Sequence, residues 1–386
     1  MPVSHPPSSA DRSRPIQSLP HRRGIRPRTA GLESVSRMHI LSTATAYPPY
    51  YYSQREVLDA ILAYWNPEPK TRSIVERLHL RTGVDSRYFV RPLMDYLTLD
   101  TFGKTNNVFI ENAVDLGERV IGCTLRQAGL QPDQLGAIFF VSVTGVASPS
   151  IDARLVNRMH LAPNIRRNPI FGLGCVAGAA GLSRVADYVR AYPDQVAVLL
   201  SVELCSLTFQ RNDHSVANLI SSGLFGDGAA AVLVAGANVP RRGPRIVATD
   251  RVFYPNTEDV MGWDISEHGF RIVLSPDVPK VVTDNLGANV DAFLATQGLT
   301  RADIGSWIMH TGGPKVLEAT QESLDLPREA LEVSWEALRR VGNLSSASVL
   351  VVLDEVMKHR RPAPGTRSIL AAMGPGFCAE MLLLEW

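Results

Sequence analysis

From Met38 onward, short apolar runs alternate with longer amphipathic stretches, and that alternation confines the chain to layered α/β architectures. Buried-type strands are expected at 136–143 (GAIFFVSV), 195–202, 228–235, 305–310, 367–373 and 380–385, with MHILSTATAYP from Met38 also strand-like. Helices are expected at 109–129, 176–191, 279–297 and 343–358, where apolar residues recur three and four apart. A length of 386 residues, 45% of them hydrophobic, allows two or three domains around a large core. The stretch 237–247 (ANVPRRGPRIV) reads as the boundary between an N-terminal half, 38–240, and a C-terminal half, 241–386. No internal repeat is visible by inspection.

Residues 1–37 hold six of the 26 prolines and seven arginines and lack aliphatic periodicity, so they read as a disordered basic extension, which a translation start at Met38 would remove. The twin arginine Arg22–Arg23 is followed by no apolar region, which argues against an export signal. A net charge of +1 gives no overall basic field for nucleic acid or an anionic membrane. No uninterrupted apolar window is long enough for membrane insertion. The four cysteines, Cys123, Cys175, Cys205 and Cys378, form no CxxC pair, which disfavours a zinc site or a disulfide framework and fits a reducing cytoplasm.

The sharpest local signal is Asn168-Pro-Ile-Phe-Gly-Leu-Gly-Cys175-Val-Ala-Gly-Ala-Ala-Gly181, an apolar strand running through glycines into a small-residue helix. Cys175 is thereby expected at a helix N-terminus, where the partial positive charge favours thiolate, the form that attacks a thioester carbonyl. Gly172, Gly174 and Gly178 would let backbone approach the sulfur closely. The same residues also suit a buried, inert cysteine beside tightly packed helices, and this segment alone leaves both readings open. His310, in Trp307-Ile-Met-His310-Thr-Gly-Gly-Pro314, follows a buried strand; Asn343, in Val341-Gly-Asn343-Leu-Ser-Ser-Ala-Ser348, stands where a helix should start. Separately these are an ordinary histidine and a helix cap. Together they complete a Cys-His-Asn set.

With Leu224-Phe-Gly-Asp227-Gly-Ala-Ala-Ala231 and Met373-Gly-Pro-Gly-Phe377, these segments resemble the type III polyketide synthases, the chalcone and stilbene synthase-like branch of the thiolase superfamily, over residues 38 to 386. GLGCVAGAAG, VELCSLTF, MGWDISEHGF and LSPDVP look most like the bacterial alkylpyrone and alkylresorcinol synthases. The resemblance implies a thiolase-like fold, two duplicated α/β halves in five αβαβα layers, and a homodimer. It implies that Cys175 holds the growing acyl chain as a thioester, while His310 and Asn343 donate to the malonyl thioester carbonyl, on which enolate charge develops when carbon dioxide leaves. An acyl-CoA starter and malonyl-CoA are the implied substrates. Neither step requires a metal or an organic cofactor.

By the same resemblance, Phe209 matches a gatekeeper phenylalanine and Ile272 falls at a second gatekeeper position, where neighbouring Phe270 could compensate. Thr144, Ser148 and Cys205 are expected to line the substrate pocket, the last two as small side chains that open room for a fatty starter. Arg77 and Arg81 fall near residues that meet coenzyme A phosphates in relatives, although a solvated helix face explains them equally well; Gly312 and Gly313 are also placed with coenzyme A. Asp227 reads as structural. The favoured product is an alkyl-α-pyrone formed by lactonisation. An alkylresorcinol synthase closing its ring by aldol chemistry, and a lapsed acyl-CoA binding protein, are the alternatives.

Overall fold

A computed structural model describes residues 38–240 and 243–386; the expected extension, 1–37, lies outside the described residues. In chain order the first elements are β1 (Met38–Ala46), β2 (Tyr50–Ser53), α1 (Gln54–Trp65), α2 (Pro69–Leu80), β3 (Ser86–Phe89), α3 (Phe102–Ala128), β4 (Leu135–Val141), α4 (Ile151–Arg158) and β5 (Arg166–Ile170). Next come α5 (Ala177–Ala191), β6 (Val196–Leu204), α6 (Val216–Leu224), β7 (Asp227–Ala235), β8 (Arg245–Phe253), β9 (Met261–Ser266) and β10 (Gly269–Leu274). The chain ends with α7 (Val278–Thr296), β11 (Ile304–Met309), α8 (Pro314–Leu324), α9 (Glu332–Val341), α10 (Ser348–His359), β12 (Arg367–Gly374) and β13 (Cys378–Glu385).

Nine strands hydrogen-bond in the order β11-β12-β13-β8-β1-β7-β6-β4-β5. The order splits naturally at β1–β8, which pair only through Met38–Ile246 and His39–Arg245. Strands β6 and β7 are buried along their whole length, the burial that continuous apolar runs such as VAVLLSV and AAAVLVA require. Alternate residues of β6 point to different cores: Val198, Leu200 and Val202 pack with α3, whereas Ala197 and Leu199 face α5 and α10. In β12, Leu370 and Ala372 face that same central pair of helices, and Ile369 and Ala371 pack with α7 and α8. The layers therefore run α3, sheet, α5 with α10, sheet, α7 with α8, the five-layered αβαβα fold expected from the sequence.

Local chemistry sets the element ends. Helix α1 begins in a capping box, Ser53 accepting from the Glu56 amide while the Glu56 carboxylate accepts from the Ser53 backbone. Helix α3 stops at Gly129, whose left-handed φ of 61° closes the last turn. The helix expected at 343–358 starts only at Ser348, because Asn343 is held in an extended bridge to Phe225 and a 3₁₀ turn spans Ser345–Ala347.

Candidate active site

Cys175 sits in the 3₁₀ turn Gly174–Val176 that runs directly into α5, 5% exposed. Gly174, at φ +54°, makes that turn possible; a Cβ there would fall 2.6 Å from Pro375 Cδ. A Cβ on Gly374, at the end of β12, would fall 2.6 Å from the Val176 nitrogen, so β12 and the cysteine turn touch backbone to backbone. The Cys175 thiol donates to Ser345 Oγ over 3.7 Å, and the Ser345 amide donates to Asn343 Oδ1 at 2.8 Å. Ser345 is itself held at φ +48°, an uncommon conformation for a residue with a side chain.

Asn343 is 2% exposed and is fixed from both ends. Its amide donates to the Leu224 carbonyl at 2.9 Å, its carbonyl accepts from Gly226 at 3.0 Å, and Ser348 Oγ also donates to Oδ1 at 3.2 Å. With Oδ1 occupied twice, Nδ2 is the side-chain donor left to present to a ligand. His310 follows β11, its amide donating to the Ala371 carbonyl at 3.0 Å, and its buried Nδ1 has no hydrogen-bond partner among the described residues. The turn after it passes through Gly313 at φ +128°, where a Cβ would lie 3.4 Å from Leu224. Leu224 thus touches the His310 turn and holds the Asn343 amide. A narrow void of about 30 Å³ borders His310 and Gly312, room for one or two waters.

Burial dominates the electrostatics. It pushes the Cys175 thiol up to about 12, with the Glu203 charge adding and the Ser345 hydrogen bond opposing, and it pulls His310 down to about 4. The unliganded pair is therefore thiol and neutral imidazole. This differs from the thiolate expected from the helix terminus, because the 3₁₀ turn is enclosed and no hydrogen bond joins sulfur to imidazole. Behind the site, Glu203 Oε2 accepts from the Val143 amide at 3.1 Å and Thr144 Oγ1 at 2.8 Å, while Oε1 accepts from the Ser346 hydroxyl. Burial raises the Glu203 carboxyl as well. Asp227, raised to about 7 by burial, accepts from the Val90 and Ser206 amides, both at 2.8 Å, in the structural role expected of it.

An apolar cavity of about 310 Å³ opens beside this cluster. Cys205 and Phe225 border it on the site side; Val57, Ile61, Leu93 and Met94 are among its outer walls. Cys205 and Phe209 both line this cavity, and the Phe209 ring lies 5.6 Å from that of Trp65. Thr144 and Ser148 do not line it. Thr144 is committed to Glu203 and to the Leu204 amide, which donates to it at 2.9 Å, and Ser148 is exposed beyond the loop that Asn106 ties down at Val146. Ile272, half-buried on β10, packs with the core of β11 and β12 and is likewise absent from the cavity wall. Phe270 is the buried aromatic of that strand, its ring against Phe102, Phe171 and Trp263, and its carbonyl accepts from Gln210 Nε2 at 3.1 Å. Arg77 and Arg81 are exposed at the end of α2.

Three participants escaped the sequence reading: Ser345, Glu203 and Phe225. Phe225 is the cavity aromatic bridged directly to Asn343. Its presence in the LFGDGAAA segment was the available signal.

The five layers, with a cysteine at the head of one central helix and an asparagine just before the other, define a thiolase-like enzyme built for acyl transfer. Residues 28–238 match the family model "Chalcone and stilbene synthases, N-terminal domain", and residues 245–385 match the corresponding C-terminal domain. The chain belongs to the chalcone and stilbene synthase family and is a type III polyketide synthase, an acyltransferase. It is 48% identical to a 1,3,6,8-tetrahydroxynaphthalene synthase of Streptomyces peucetius subsp. caesius, over 92% of this chain and 93% of that one. A putative chalcone synthase of Bacillus subtilis is 37% identical, over 90% of this chain and 98% of its own length. The crystal structure of the Streptomyces coelicolor A3(2) 1,3,6,8-tetrahydroxynaphthalene synthase superposes with a TM-score of 0.86 at 32% identity, covering 90% of this chain and 99% of that one.

Proposed function

We propose that the enzyme loads a medium- or long-chain fatty acyl group from coenzyme A onto Cys175, extends it with malonyl-CoA and releases an alkyl-α-pyrone by lactonisation. The observation that carries this reading is the apolar cavity, on whose wall stands Phe225, the residue bridged to Asn343. Each methylene buried there contributes about 0.8 kcal/mol, so a long tail is favoured over a short one. In this scheme the Sγ proton passes to neutral His310 as sulfur attacks the starter thioester, and the coenzyme A thiolate leaves. Malonyl-CoA then loses carbon dioxide, Asn343 Nδ2 and the imidazolium donate to the enolate oxygen, and the enolate carbon attacks the Cys175 thioester carbonyl, expelling the Cys175 thiolate and leaving the lengthened chain on coenzyme A. Arg77 and Arg81, exposed at the end of α2 and without an ion pair among the described residues, are assigned to coenzyme A phosphates, and the Gly312–Gly313 turn to the thioester arm. We assign the halves 38–240 and 241–386 to nucleophile and carbonyl recognition respectively, in a cytoplasmic homodimer. No helix among the described residues is long and apolar enough to cross a membrane.

A second reading is supported by the 48% identical relative, named as a tetrahydroxynaphthalene synthase: priming as well as extension by malonyl-CoA, with an aromatic product. Incubation with labelled malonyl-CoA, with and without lauroyl-CoA, separates the two. Pyrones carrying the lauroyl tail and two or three ketide units are expected. A naphthalene product from malonyl-CoA alone, with lauroyl-CoA unused, establishes the second reading instead.

A further inference from the structure

Arg87 on β3 is 1% exposed, yet it makes no ion pair among the described residues. Its Nη1 donates to two backbone carbonyls, Ser222 at 2.9 Å and Phe225 at 2.7 Å; Nη2 donates to Gln54 Oε1 at 2.8 Å, and Nε has no acceptor. A buried guanidinium served only by neutral acceptors is costly, and burial draws its pKa down to about 9. Capping the end of α6 is one effect of these bonds. The side-chain stem does more. A Cβ on Gly342 would lie 3.0 Å from Arg87 Cδ, and one on Gly226 would lie 3.4 Å from Arg87 Cβ. Those glycines flank Asn343 and Phe225, the two residues of the isolated bridge. Arg87 thus grips the bridge through the Phe225 carbonyl and lies beneath the glycine that precedes Asn343. Gln54 completes the grip, its Nε2 donating to the His79 and Gly223 carbonyls at 3.0 and 2.8 Å and to Thr82 Oγ1 at 2.9 Å.

We propose that Arg87 is a positioning residue for malonyl-CoA decarboxylation: clamped between Gln54 and the Phe225 carbonyl, it sets the Phe225–Asn343 bridge and so aims Asn343 Nδ2. The inference rests on the assignment of Asn343 made above. The Asn343 backbone is bonded on either side of Phe225, its amide to the Leu224 carbonyl and its carbonyl to the Gly226 amide, so a displaced Phe225 carbonyl moves Asn343 as well. Arg87 also borders the apolar cavity, so a weaker affinity for lauroyl-CoA is expected with its loss, whereas the acylation rate at saturating lauroyl-CoA, set by the Gly174–Val176 turn, is spared. Lysine cannot replace the fork, since one ammonium does not span two carbonyls and an amide oxygen in plane.

The test uses Arg87→Met and Arg87→Lys with two half-reactions measured apart: Cys175 acylation at saturating lauroyl-CoA, followed by intact mass without malonyl-CoA, and carbon dioxide release from saturating labelled malonyl-CoA. A decarboxylation rate down by about a hundredfold in Arg87→Met, with acylation changed by less than about fivefold, is the expected result. Arg87→Lys should fall between. Parallel loss of both half-reactions, tracking the drop in melting temperature, reduces Arg87 to a structural cap and overturns the proposal, as does unchanged decarboxylation. Should Arg87→Met fail to fold, Gln54→Leu, which frees Nη2, must show the same asymmetry to a smaller degree. Wild-type decarboxylation in Asn343→Ala would instead remove the underlying assignment, a failure distinct from that of the clamp.

Discussion

Two helices fill the middle layer, and they begin alike but carry different chemistry. Helix α5 is preceded by the turn Gly174–Val176 with its thiol; α10 is preceded by the turn Ser345–Ala347, with the amide of Asn343 just upstream. The two turns meet where Cys175 donates to Ser345. Each half of the sheet thus delivers one functional group to the same place by the same device. In the proposed scheme the first half supplies the group that bonds to carbon and the second the group that meets oxygen. On that assignment covalent chemistry and charge stabilisation are divided between the chain halves, and each should be breakable alone.

Replacing Cys175 with alanine should abolish product formation by about 10⁴-fold or more, because no other nucleophile lies in the turn; product release followed by mass spectrometry checks it, and residual turnover near wild type would falsify the covalent scheme. Asn343→Ala should lower carbon dioxide release by about 10²–10³-fold and leave lauroyl loading on Cys175 intact, so that the comparison is sharpened by one variant on each side. The junction itself is tested at Gly178, where an added Cβ would collide with the Ser346 carbonyl oxygen and approach Val349 Cγ1 to 2.7 Å. Gly178→Val should cost about 3 kcal/mol of stability, read from the urea midpoint. A variant as stable as wild type would mean that the two helices are free to separate.

The smallest effect concerns pH. His310 is held down to about 4, so between pH 6.5 and 4 the unfolded chain takes up a proton that the folded chain excludes. Stability is accordingly full above pH 6.5 and declines as the pH falls through that window. His79, pulled to about 3 by burial and by the charge of Arg87, acts in the same direction. His310→Gln should make the decline shallower without removing it, and an unchanged slope in urea titrations at stepped pH would show that His310 is solvated.

The α/β class was legible because fully buried strands read as unbroken apolar runs, whereas the five layers and the Cys-His-Asn set came from the family resemblance, the local pattern around Cys175 leaving its role open. The surroundings of Asn343 were not legible. The helix expected from residue 343 gives way to a bridge with Phe225, more than a hundred residues earlier, and no local period encodes such a pairing. The same long-range pairing puts Phe225 beside Asn343. Thr144 was misplaced because its hydroxyl has a partner, Glu203, 59 residues away that spacing alone does not disclose. The electrostatic expectation differed for a related reason: a helix terminus is visible in sequence, whereas enclosure of the sulfur is not.

The outer walls of the cavity come from α1 and from the short turn at Leu93–Thr98, neither of which belongs to the nine-stranded sheet or to the central helices. Val57, Ile61, Leu93 and Met94 can therefore be exchanged for larger or smaller side chains while the reacting groups stay where the layers put them. A lineage inheriting this scaffold is free to reshape the cavity through a handful of peripheral residues, with the two central helices and their leading turns inherited unaltered.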